Sequence, residues 1–175
     1  METQKLSPGK FSLNYGVMLG LIMVVISVVT YVTGLALEGA QWPQYLYYLI
    51  FPIIVIYAIS QYKKKNANLL TLSEALKIGV LVGVVSALIF VVYNLIFNYV
   101  IDPDFMGQMM DVGRDKMLEQ NPNMTEEMVE QSMGFMEIFF NPFVLSAFWL
   151  AMSAIFGLLY GLIGGLVMKK ENTHA

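Results

Sequence analysis

The sequence predicts an all-α polytopic membrane protein, with four transmembrane helices and an extracytoplasmic amphipathic helical hairpin between the third and the fourth. Three observations predict it. Apolar residues make up 57% of the chain and charged residues 13%, so any fold must leave a large apolar surface outside. The apolar residues gather into four runs, about 11–37, 43–62, 72–101 and 142–168, each as long as the ~20 residues that cross a bilayer. The one long polar segment, 102–141, is acidic, rich in methionine and punctuated by proline. It is what such a protein can show to an aqueous partner. At 175 residues, the whole chain reads as a single membrane domain.

Each element has a local reason. Ser7-Pro8 is a serine and proline pair suited to a helix start, and the first apolar run follows it. Gly34-Leu35-Ala36 resembles a signal cleavage site, but the run is too long for a secretory leader and further spans follow, so it is read as a span. Trp42-Pro43 opens the second run, with Tyr45, Tyr47 and Tyr48 where aromatic rings suit the membrane–water boundary. Pro52 predicts a kink, and Lys63-Lys64-Lys65 a stop. Thr71-Leu72-Ser73-Glu74 is a capping box that fixes the third start. Asp102-Pro103 repeats the cap-and-proline device for the outer segment. There Phe105, Met106, Met109, Met110, Gly113 and Met117 follow helical spacing. Asn121-Pro122 ends that helix, and Thr125 caps a second whose predicted stripe is Met128, Ser132, Phe135, Met136 and Phe139. Asn141-Pro142 starts the last span, and Lys169-Lys170 closes it.

The lysines set the orientation. If the spans alternate, Lys5, Lys10, Lys63, Lys64, Lys65, Lys77, Lys169 and Lys170 share one side, and only Arg114 and Lys116 lie on the other, among acids. The positive-inside rule then puts both termini in the cytoplasm, with the hairpin outside.

Small residues at four-residue spacing let helices approach closely in lipid. Gly16 and Gly20, Gly79 and Gly83, and Ser153, Gly157, Gly161 and Gly165 are the predicted packing faces. The last helix has the longest such face and is expected at the bundle centre or in a homodimer. Gly16 aligns with Gly79 and Gly20 with Gly83, which would fit a duplicated two-helix hairpin.

Chemistry is sparse. The absence of cysteine removes disulfides, thiolate sites and cysteine nucleophiles, and the one histidine, His174, lies in the tail. No charged residue sits in the middle of a span, which argues against proton relays and intramembrane acid–base catalysis. No nucleotide motif or phosphate-cradling loop appears, so no catalytic residue, cofactor, metal or nucleic acid is assigned. Asn94 and Asn98, one turn apart, are the most polar pair near the membrane and a candidate polar site; Asn14 is another such residue. Interhelical hydrogen bonding is the plainer role for them. Met106, Met109 and Met110, with Met133 and Met136, could hold Cu(I) through their thioethers. Methionine is also a filler for adaptable surfaces, and Met106, Met109, Met110, Met117, Met128, Phe135 and Met136 are the candidate partner surface.

The chain resembles a bacterial family classed as domain of unknown function 4199. The resemblance rests on Tyr15-Gly16-Val17-Met18-Leu19-Gly20, Tyr93-Asn94, Ile101-Asp102-Pro103, the Met-Thr-Glu-Glu-Met segment at 124–128, Phe140-Asn141-Pro142 and the glycine-rich last helix. It implies a four-span inner-membrane protein with an extracytoplasmic helical insert and no known catalytic residues. It also points to polyprenyl-phosphate glycosyltransferases as a candidate partner. The expected function is a non-enzymatic accessory or scaffold subunit that binds another membrane protein or a second copy. The alternative is a small transporter or lipid-binding protein with a site near Asn94, Asn98 and Pro52, between the two-helix repeats.

Overall fold

The computed structural model describes residues 6–170, so Lys5 and His174 lie outside the described residues. These form α1 (Pro8–Val32), α2 (Trp42–Lys65), α3 (Leu72–Ile96), α4 (Phe105–Gln120), α5 (Glu126–Phe140) and α6 (Pro142–Met168), with no strand among them. A π-helical turn, Phe97–Ile101, extends α3. Four helices are long and apolar enough to cross a membrane: α1, α2, α3 with its extension, and α6. Leu21, Val25, Val92, Ile163 and Leu166 are among the large apolar side chains they expose, which lipid rather than water would solvate.

The ends follow the local chemistry, with three corrections. Ser7 stands at the N-cap of α1 but makes no side-chain cap bond. That helix ends at Val32, short of the expected 37, because Gly34 takes φ +75° and turns the chain back, Ala36 N donating to Thr30 O (3.2 Å). The lysines do not stop α2 at Tyr62; Lys63, Lys64 and Lys65 form its last turn, where cations suit the carbonyl end. The helix continues through Pro52. Asp102 does not cap α4, which begins at Phe105; its carboxylate accepts a hydrogen bond from Tyr31 OH instead (2.9 Å). The capping box at α3 is complete: Glu74 N donates to Thr71 Oγ1 (3.2 Å) and Thr71 N to Glu74 Oε2 (2.9 Å). Thr125 Oγ1 caps α5 through Met128 N, and Asn141 Oδ1 caps α6 through Phe143 N (3.0 Å).

The central helix is α3, which packs against α1, α2 and α6; of the two places expected for α6, the bundle centre belongs to α3 instead. The reason is that α3 uses two faces. A methyl group added at Gly79 or Gly83 would collide with Gly157 O or Ser153 O of α6. Gly16 and Gly20 of α1 instead lie over Val85 and Ile89 of α3. The aligned glycine pairs thus face different neighbours, and the helices they occupy are not equivalent in the fold.

At one end of the bundle the lysine-bearing segments converge. Leu70 and Lys170 pair backbone to backbone (2.9 Å each way), and Lys65 Nζ lies 5.6 Å from the centre of the Phe11 ring. Tyr62, fully buried there, donates to Leu6 O (2.9 Å) or Glu74 Oε1 (3.0 Å). The core runs through this half: Phe51, Val55, Ala58 and Ile59 of α2 against Ala75, Ile78 and Val82 of α3, with Leu19 of α1.

Candidate functional site

The glycine seam between α3 and α6 ends at Gly83 and Ser153. From there toward the hairpin, α3 carries Phe90, Tyr93 and Phe97, and α6 carries Trp149. Bulky side chains hold backbones apart where glycines let them touch, and a cavity of about 440 Å³ opens in this half of the bundle. It reaches from Ser86, Ala87 and Ser153 to Asn94, Phe97 and Asn98. Along α3, Ser86 to Asn98 covers about 18 Å at ~1.5 Å per residue, more than half of a ~30 Å hydrocarbon layer.

Each wall has its own source. Helix α1 gives Met23, Ile26, Ser27, Thr30 and Tyr31; α2 gives Pro43, Gln44 and Tyr47; α6 gives Leu145, Trp149 and Ser153. The first turns of α4 cover the hairpin end with Phe105, Met106 and Met109. Phe105 is locked there by edge contacts: its ring lies 5.6 Å from Tyr31 and 5.2 Å from Phe97, which are 4.8 Å from each other. At the deeper end, Tyr47 OH and Ser153 Oγ share a buried hydrogen bond of 3.2 Å between α2 and α6.

No lining residue carries a charge. Several of the polar ones are already bonded within the protein: Thr30 Oγ1 to Ile26 O, Tyr31 OH to Asp102 and Ser86 Oγ to Gly83 O. Asn98, 5% exposed, is different. Its Nδ2 donates to Asn94 O (2.8 Å) and Asn94 Oδ1 (3.2 Å), while its Oδ1 is buried without a protein partner among the described residues. The asparagine pair therefore bonds within one helix rather than across two. It also spans the junction of α3 with its π-helical turn, a distortion often found at functional positions.

The other sequence-predicted residues fall in several places. Met106 and Met109 line the cavity, and Met136 packs against Gly113 between α4 and α5, so the methionines considered for Cu(I) are divided between two locations. Met110 and Met117 are half-buried, whereas Met128 and Phe135 are exposed. The predicted stripe of α5 needs correction. Its inward side is Val129, Ser132, Met133, Met136 and Phe140, because both sides of this helix are apolar and Gly113 gives Met136 its seat. Ser153, Gly157, Gly161 and Gly165 all face α3 or the loop end before it, and Asn14 is exposed. Pro52 is not at the cavity; Pro43 is.

Sequence reasoning picked out Asn94 and Asn98 but missed Tyr31, Phe105, Ser27 and Trp149. A signal existed for Tyr31: a tyrosine close to the end of one span, with an aspartate at the end of a parallel one.

No curated protein and no solved structure matches the chain. A family model, described as protein of unknown function (DUF4199), matches residues 14–170. The chain, with its four membrane-length helices and helical insert, belongs to that family.

Proposed function

We propose that the protein is a binding protein rather than an enzyme, and that its cavity takes an uncharged, largely apolar molecule from the surrounding lipid. One observation carries this reading: the 440 Å³ space has apolar walls, a few polar groups and no charged lining residue. Its size falls in the ~300–1,000 Å³ range of small-molecule sites. A charged ligand would be buried there without a counter-charge, at a cost of several kcal/mol. A neutral one meets no such penalty.

The charges support a placement in a bacterial cytoplasmic membrane with both termini inside. Lys10, Lys63, Lys64, Lys65, Lys77, Lys169 and Lys170 lie toward one end of the spans, while Arg114, Lys116 and most of the acids lie toward the other. The cavity then belongs to the outer half of the bilayer, beneath α4. The test is to purify the protein from its own membranes and identify bound neutral lipids by mass spectrometry. A stoichiometric species lost in Ser27→Phe, which fills the cavity, is the expected result. Wild-type protein that carries none, or a variant that carries as much, would overturn the reading.

The second reading, an accessory subunit for another membrane protein, is favoured by the outward side of α5. Met128, Phe135, Ile138 and Phe139 are 51–61% exposed there, directly before α6. Photocrosslinkers at Phe135 and Phe139 should capture one defined membrane protein if it holds. Lipid adducts alone would remove it.

A further inference from the structure

We propose that the cavity opens sideways into lipid at the first turns of α2, and that Gln44 and Tyr48 there hold the neutral polar end of an amphiphile whose chain lies inside. This deepens the binding reading above and rests on it. The cavity is open, not sealed, so one of its walls must be incomplete. Ser86, Ala87, Phe97 and Asn98 of the α3 wall are buried, and the lining residues of α1, α4 and α6 are buried or half-buried. Gln44 is the one lining residue that is exposed, so the gap is at its side chain. The hairpin end is roofed: Phe105, Met106 and Met109 lie over it, and Lys116, further along α4, donates to Glu38 O of the loop before α2 (3.0 Å). Around the gap Trp42, Tyr45, Tyr48 and Leu49 expose 40–63% of their surface, a set that suits the membrane–water boundary rather than open water. The mouth therefore faces lipid.

The mouth also has the chemistry to hold a head group. Gln44 Nε2 lies 2.9 Å from Tyr48 OH, one turn along α2, and both side chains are exposed. Whichever way the amide is turned, this uncharged pair keeps a hydrogen-bond donor and an acceptor for a third group. An alcohol or an amide, which both donates and accepts, is its complement. Behind the pair, Met23, Ile26 and Phe90 offer apolar walls to a chain. Tyr47 is buried and already bonded to Ser153, so it does not compete for the head group.

The experiment uses the full-length protein in lipid nanodiscs and two photolabels made from monopalmitoylglycerol, one with its diazirine beside the glycerol and one at the chain end. The first should mark Gln44, Tyr45 or Tyr48 and the second Ser27, Phe90 or Asn94, both saturably and both displaced by unlabelled monopalmitoylglycerol. In Gln44→Leu half-saturation should need roughly fivefold more label, the worth of one hydrogen bond, while Tyr45→Leu, exposed but outside the cavity lining, should change nothing. Marks exchanged between the two labels, or equal effects of the two substitutions, would overturn the mouth at Gln44 and leave the binding reading standing. Labelling that saturates at neither set of residues would overturn both. Should Gln44→Leu fail to fold, the two labels on the wild-type protein decide alone.

Discussion

The same helices pack in two different ways along their length. In the lysine-bearing half, Gly79 and Gly83 of α3 lie directly on the backbone of α6, and Phe51, Val55, Ile59, Tyr62, Ile78 and Val82 fill the space around them. In the hairpin half, aromatic rings replace the glycines, and the space between the helices is a cavity bordered by α4. The difference teaches that in lipid, where apolar contact with neighbours and with acyl chains is nearly equivalent, residue size decides which parts of a bundle close. One half is built to hold the protein together. The other is built around a gap.

The largest test of this contrast is Gly79→Leu. The new side chain meets the Gly157 carbonyl rather than a movable side chain, so it should lower stability by about 3 kcal/mol or more, read from thermal unfolding in detergent. Gly134→Leu on α5, where nothing lies within 4 Å, should change stability by less than about 1 kcal/mol. Equal effects would remove the distinction between seam and hairpin. Next comes Tyr62→Phe, which removes the hydroxyl that donates to the part-buried Leu6 O or to the Glu74 carboxylate and should cost about 1–3 kcal/mol by the same measurement.

Tyr31→Phe probes the other half. Losing the hydroxyl to Asp102 should cost about 0.5–1.5 kcal/mol and speed amide hydrogen exchange in α4 while leaving α6 unchanged. Uniform acceleration would mean that the two halves are not separable. Lys116→Ala, which removes a bond from an exposed ammonium to Glu38 O (3.0 Å), should shift stability by no more than about 0.5 kcal/mol.

What could be read in advance follows the same division between local and distant causes. The start of α3 at Thr71, the start of α5 at Thr125 and the start of α6 at Asn141 are set by residues within one turn, and the hydropathy of the spans needs no knowledge of neighbours. The end of α1 was harder, because the apolar run continues past Gly34 while the backbone does not. The centrality of α3 depends on which glycine meets which helix, and glycine spacing alone names faces without naming partners. The cavity is a property of five helices at once. Asn98 could be noticed as polar near a membrane, but only the bonds to Asn94 reveal that an acceptor is left over. The inward side of α5 was misassigned because its two apolar sides have the same period.

A chain without cysteine allows the central claim to be tested directly with single cysteines. Ser27 lines the cavity, and Ser12, on the same helix, is fully buried in the lysine-bearing half. With a membrane-permeant maleimide, Ser27→Cys in protein stripped of lipid should react faster than Ser12→Cys and be protected when a neutral lipid is added back, while Ser12→Cys should stay unmodified in the folded protein. Equal reactivity at the two positions, or an inert cysteine at 27, would contradict the account.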